Sequence, residues 1–229
     1  MYDAREIMAT IVLNFKTYSE STGAQAVRLA RICEDVGRDY AVQMIVVPQV
    51  ADISAVASAV KIPVYSQHVD GVGFGGFTGH VTAACLAGAG AKGSLINHSE
   101  RRLELAEIEA SISACRQAGL KSIVCTNNVA TTRAAAALRP DWVAVEPPEL
   151  IGSGIPVSKA DPDVVINSVK AVKGIAPDVG VLCGAGITRG EDLKSALELG
   201  TEGVLLASGI IKAKDQRQAL LDLVAGAGK

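Results

Sequence analysis

Three apolar runs in this 229-residue chain end in side chains able to do acid–base chemistry. The run GSLI (residues 93–96) is followed by NHSERR (97–102), which delivers an imidazole, His98, and a carboxylate, Glu100. The run WVAV (142–145) ends in Glu146, just ahead of Pro147 and Pro148. The run TIVL (10–13) leads into Asn14 and Lys16. A carboxylate flanked by apolar surface has its pKa pushed up towards neutrality, as a general base requires. An imidazole can polarise or protonate an oxygen, and a lysine beside an amide can steady a developing negative charge. A turn alone would call for Gly, Asn or Asp at such points. Taken singly, each has a plain reading: a solvated lysine, a capping or salt-bridged carboxylate. What matters is whether one fold brings them to one place.

The elements that would do so recur along the whole chain. Eight runs, TIVLNF, MIVVPQ, IPVYSQH, GSLIN, SIVCTN, DWVAVEP, VGVLCGAG and GVLLAS, are apolar at both alternating positions. That is how strands of a parallel sheet covered on both faces read. Helical spacing separates them, with Leu29, Ile32, Cys33 and Val36 on one face and Leu105, Ile108, Ile112 and Cys115 on another. Asp161-Pro162 reads as an N-cap with proline in the first turn, and Thr188 and Glu191 have capping-box spacing. QAGLKS and ELGTEG place a glycine where a helix should stop. An open doubly wound sheet is the rival, but no run reads as an edge strand. The expectation is an α/β fold, one (β/α)8 barrel domain over 1–229.

In such a barrel the C-terminal strand ends share one mouth, where catalytic residues sit. Reading only those ends adds Gln67 and His68 on strand three and Thr126 and Asn127 on strand five. Strands seven and eight end in CGAG (183–186) and ASG (207–209), whose free N–H groups and following helix start suit a phosphate.

Composition removes other classes. With 22 basic against 24 acidic residues the net charge is −2, which gives no electrostatic case for nucleic acid. No apolar run approaches the roughly 20 residues that span a bilayer, and MYDAREIMA does not read as a secretory leader. Five scattered cysteines without CxxC spacing point to reduced thiols in cytoplasm. Dinucleotide and Walker fingerprints are absent, so no cofactor is expected. The three histidines, His68, His80 and His98, lack ligand spacing, so no metal is expected; His68 and His80 read as loop or interface residues. Two phenylalanines in the glycine-rich VDGVGFGGFTG (69–79) would be an apolar liability on a monomer, which points to a homo-oligomer.

From about residue 10 the motifs resemble the triosephosphate isomerase family in its compact archaeal form: NFK (14–16), NHSERR (97–102), VEPPELIGSG (145–154) and GGFTG (75–79). The resemblance implies interconversion of dihydroxyacetone phosphate and glyceraldehyde 3-phosphate through an enediolate. It assigns Glu146 as the base, His98 as a neutral electrophile beside a helix N-terminus, and Lys16 and Asn14 to substrate binding and charge stabilisation. Glu100 is a supporting carboxylate. Ile151 and Gly152 of a mobile lid, with Gly186, Ala207 and Ser208, would hold the phosphate. The implied assembly is a tetramer in preference to a dimer. The chain departs from the family in carrying Glu149 where many members have a lid aromatic, CGAG in place of YGGS, and Ala207-Ser208 in place of a glycine pair. Residues 1–9 match nothing in the family and form an extension of unassigned role. A Schiff-base aldolase using Lys16 and a non-catalytic phosphate-binding barrel remain as alternatives. Borohydride trapping would reveal the first; for the second, replacing Glu146 leaves ligand affinity largely intact in either case, and only an enzyme loses turnover.

Overall fold

The computed structural model describes residues 9–152 and 154–228; residues 1–8 of the expected N-terminal extension lie outside the described residues. All eight runs form strands: β1 Thr10–Asn14, β2 Gln43–Val47, β3 Tyr65–Ser66, β4 Gly93–Ile96, β5 Lys121–Thr126, β6 Trp142–Val145, β7 Gly180–Gly184 and β8 Gly203–Leu206. They lie in the order β2-β1-β8-β7-β6-β5-β4-β3, and neighbours in that order pair in parallel. The remaining seam, between β2 and the chain entering β3, is crossed by a parallel bridge from Val46 to Val64, with the Val46 N–H donating to the Pro63 carbonyl at 3.1 Å. The sheet is therefore a nearly closed barrel. Its shortest strand is β3, whose run contains Pro63, a residue with no N–H to give to a ladder.

Period-two alternation divides the strand residues between two cores. Val12, Ile45, Val47, Leu95, Ile123, Ala144, Leu182 and Leu205 fill the barrel, while Ile11, Leu13, Met44, Val46, Val124 and Val181 face the helices. Gly93 leaves the room that the Tyr65 ring occupies, since a Cβ there would overlap it.

The outer layer comprises α1 Ala24–Tyr40, α2 Ile53–Ala59, α3 Ala83–Gly88, α4 Leu105–Gln117, α5 Val129–Ala137, α6 Val157–Ala160, α7 Pro162–Ile175, α8 Gly190–Glu198, α9 Ser208–Ile211 and α10 Gln216–Val224. Several sequence signals act as read. The Asp161 carboxylate accepts the Val164 N–H at 3.1 Å and α7 starts at Pro162. Gly119 (φ 69°) and Gly200 (φ 92°) take left-handed conformations just past α4 and α8, where a residue with a Cβ would be strained.

Two local readings need correction. Leu105, the first residue of α4, is 54% exposed, so the buried face is Ile108, Ser111, Ile112 and Cys115. The first turn of α4 stands clear of the sheet. At α8 the reciprocal cap is one residue later than Thr188 and Glu191 suggest. Asp192, not Glu191, reaches back to accept the N–H groups of Thr188 and Arg189.

The loop before α3 exposes Phe74 (86%) and Phe77 (43%), an apolar surface of the kind that oligomers cover. Among the described residues no helix is long and apolar enough to cross a membrane.

Candidate active site

At the end of β1 the chain makes a left-handed step, with Lys16 at φ 49°. Such a conformation costs a residue with a Cβ about 1 kcal/mol or more and persists only where the surroundings hold it. Two side chains do so. The buried Asn14 Oδ1 accepts the Lys16 N–H at 3.0 Å, and Gln67 Nε2, from the end of β3, donates to the Lys16 carbonyl at 2.9 Å. The ammonium is thereby aimed across the mouth, where it meets Glu100 Oε1 at 2.8 Å.

A second left-handed residue, Asn97 (φ 62°), closes β4. Its Nδ2 donates to the Cys125 carbonyl on β5 at 3.0 Å, and its Oδ1 accepts the Leu103 N–H at 2.9 Å, so both ends of the following loop are tied down. In that loop the Arg101 N–H donates to the His98 carbonyl at 2.8 Å, and the Glu100 N–H donates to His98 Nδ1 at 3.2 Å. An Nδ1 that accepts fixes the neutral tautomer with its proton on Nε2. Burial, and then the Lys16 charge, lower the His98 pKa to about 4. Helix α4 begins at Leu105, three residues past the HSERR stretch, in keeping with the helical pattern expected there.

Glu146, at the end of β6, is 5% exposed. Burial raises its pKa to about 7, against the opposing pull of Lys16 and of a hydrogen bond from the Cys125 thiol. Its Oε2 has no hydrogen-bond partner among the described residues and lies 3.9 Å from His98 Nε2. With His98 neutral, this is not an ion pair. It is a base and a donor facing the same small space. Gly184 makes that packing possible, because a Cβ there would stand 2.6 Å from Glu146 Oε1.

One cavity takes in Lys16, His98 and Glu146 and extends to Ile151, Gly152, Gly186, Ala207 and Ser208. The three chemical side chains and all five residues expected at a phosphate therefore share one wall. Helix α9 starts at Ser208, and the first N–H groups of a helix have no acceptor within it. Asn14 and Glu100 are not on that wall; they act on Lys16 from behind and beside it. Gly186 (φ 71°) packs directly against the Ile155 carbonyl at the far end of the segment after Glu146. Gly186→Ala is expected to displace that segment and raise KM about tenfold or more while the barrel still folds, measurable by steady-state kinetics beside a thermal melt.

Other strand-end residues serve structure. Thr126 Oγ1 pairs with Thr132 at 2.7 Å, and the Asn127 side chain accepts from Thr131 at 2.9 Å, both bracing the start of α5. His68 Nε2 lies 2.9 Å from Asp70, which the half-exposed His80 also approaches at 3.5 Å. Sequence reading missed three contributors: Tyr18 and Thr188 on the cavity wall, and the Cys125 thiol beneath Glu146. Only Cys125 carried a signal, as an inward position on β5 one residue before its end.

A barrel whose mouth pairs a base poised near neutrality with a neutral imidazole defines a proton-transferring enzyme site of the (β/α)8 class. The triosephosphate isomerase family model matches residues 9–227, and the chain belongs to that family. It is 62% identical over 214 residues to the triosephosphate isomerase of Methanosarcina mazei, covering 93% of this chain and 96% of that one. Identity to the Archaeoglobus fulgidus protein of the same name is 58% over 217 residues, covering 95% and 97%. A crystal structure of triosephosphate isomerase from Bartonella henselae superimposes with TM-score 0.74 at 20% identity, covering 93% of this chain and 98% of that one, a likeness of fold.

Proposed function

We propose that the chain is a triosephosphate isomerase that interconverts dihydroxyacetone phosphate and glyceraldehyde 3-phosphate, as in glycolysis and gluconeogenesis. The observation that carries this reading is the unpartnered, buried Oε2 of Glu146 lying 3.9 Å from a neutral His98. Glu146 takes the C–H proton from one carbon of the bound substrate. The Nε2–H of His98 donates to the oxygen on which charge develops, and Lys16 lends its positive charge to the resulting enediolate. Glu146 then returns the proton to the neighbouring carbon. This family is itself the standard example of a glutamate base working with a neutral histidine.

The phosphate is held among Ile151, Gly152, Gly186, Ala207 and Ser208. The segment after Glu146 acts as a lid that keeps water from the intermediate, a device for which the family is again a standard example. An aldolase is disfavoured because Lys16 is engaged in a 2.8 Å ion pair with Glu100, whereas a Schiff-base nucleophile needs a desolvated, neutral amine. The same reading takes residues 1–229 as one domain in a cytoplasmic homotetramer. The exposed Phe74 and Phe77 support burial between subunits.

The test is a coupled assay for isomerisation of the two triose phosphates across pH. Because Glu146 must be ionised to accept a proton, kcat/KM is expected to fall about tenfold per pH unit below an apparent pKa near 7 and to level off above it. His98, at about 4, stays neutral throughout the plateau. A profile flat from pH 5 to 8 would refute the assignment of the base.

A further inference from the structure

Asp192 lies in the first turn of α8 and outside the cavity, yet it is 3% exposed and both its oxygens are engaged. Oδ2 accepts the Thr188 N–H at 3.0 Å, the Thr188 hydroxyl at 3.2 Å and the Arg189 N–H at 3.1 Å. Oδ1 faces Lys159 Nζ at 3.1 Å. Burial works to raise its pKa, but the hydrogen bonds from Thr188, Lys159 and Arg189 prevail and hold the carboxyl below its ordinary value.

Two of these partners adjoin the site, one on the cavity wall and one in the helix that follows the segment after Glu146. Thr188 lines the cavity beyond β7, and its methyl carbon sits 2.9 Å from where a Cβ on Gly209 would be. Lys159 is in α6, the short helix onto which the lid segment runs. The same junction has two backbone contacts: the Val157 N–H donates to the Ala185 carbonyl at 3.2 Å, and Gly186 abuts the Ile155 carbonyl. Those contacts do not depend on the side chains at the lid end. The Lys159–Asp192 tie does, and it is the charged link between lid base and cavity wall. Glu191 is also within 3.7 Å of Lys159, but its side chain is 85% exposed and its pull is screened by water.

We infer that Asp192 is a positioning residue for isomerisation, fixing the base of the lid through Lys159 and the adjoining cavity wall through Thr188, so that the lid closes onto a preformed surface. The inference rests on the isomerase reading. Neither Asp192 nor Lys159 touches substrate. A lid that seats loosely leaves the enediolate phosphate exposed to water and free to eliminate. In that side reaction the enediolate electron pair expels the phosphate and the carbon–oxygen bond to phosphate breaks. Inorganic phosphate leaves with the bonding electrons, and the three-carbon enol takes up a proton to become a 2-oxoaldehyde. Isomerisation and elimination share one intermediate, so phosphate released per isomerisation reports lid seating whatever fraction of the enzyme is active.

Lys159→Met removes a half-exposed side chain and leaves the core intact. It is expected to raise KM for glyceraldehyde 3-phosphate, and the phosphate released per isomerisation, each by about three- to tenfold, with kcat within about twofold of the parent. Lys159→Arg should restore both quantities, and Glu191→Gln should leave both at the parent's values. Asp192→Asn should raise the ratio at least as far as Lys159→Met does. Unchanged KM and an unchanged ratio in Lys159→Met would overturn the inference while leaving the isomerase reading in place. Absence of isomerisation by the unaltered chain would overturn both.

Discussion

Glu146→Gln is expected to lower kcat by about 10³- to 10⁴-fold while changing affinity for the triose phosphate little, because the carboxylate acts on the proton in flight and not on the resting substrate. Activity undiminished in this variant would remove the base from the mechanism. The same substitution has a second expected effect, on stability. The carboxyl titrates near 4.5 in its ordinary state and near 7 when buried here. Between those values the folded chain holds a proton that the unfolded chain has released. The stability tied to this group is therefore present in full below about pH 4.5 and is lost as pH rises through 7. At pH 8 an ionised, buried Glu146 costs the fold on the order of 3 kcal/mol, which an uncharged glutamine would relieve. A melt at pH 8 should show the inactive variant to be several degrees more stable than the parent, and the gap should close towards pH 5. Equal melting temperatures at pH 8 would mean that the carboxylate is better solvated than its burial implies.

Lys16→Met is expected to reduce kcat/KM by about 10³-fold, since it removes the cation nearest the developing enediolate charge and one arm of substrate binding. Its pH profile should identify the cause. Lys16 lowers the pKa of both Glu146 and His98. Without it, the acid limb of kcat/KM should move to higher pH, above 7, and His98 should begin to gain a proton at a less acidic pH than before. NMR titration of the His98 ring would follow the second shift directly. A loss of activity with both titrations unmoved would assign Lys16 to binding alone. Asn14→Ala should resemble a weaker Lys16→Met, because the Asn14 amide holds the left-handed turn at Lys16 and does not line the cavity.

The depressed pKa of His98 shows how local reading and tertiary cause can differ. A neutral imidazole beside a helix N-terminus was what the family resemblance implied. In the fold the ring is neutral because strands enclose it, because Lys16 from β1 stands near it, and because the Glu100 N–H occupies Nδ1. A similar displacement occurs at α8. Capping-box spacing located the helix start correctly within one residue, but it could not show that Asp192 also binds Lys159 from a different helix.

The sequence by itself determined the eight-strand barrel and the end of it that carries the chemistry. Strand periodicity, glycine stops and proline starts are local signals, and the geometry of parallel strands forces their C-terminal ends into one mouth. It also determined which side chains arrive there, since His98, Glu146 and Lys16 each come within three residues of the end of an apolar run. Tertiary structure alone decided what those side chains could do. The burial that brings Glu146 near neutrality, the space Gly184 leaves for it, the Cys125 thiol beneath it and the braces on Lys16 from Asn14 and Gln67 come largely from other strands. A pKa is set by everything within a few ångströms, and in a barrel most of those neighbours lie far away along the chain.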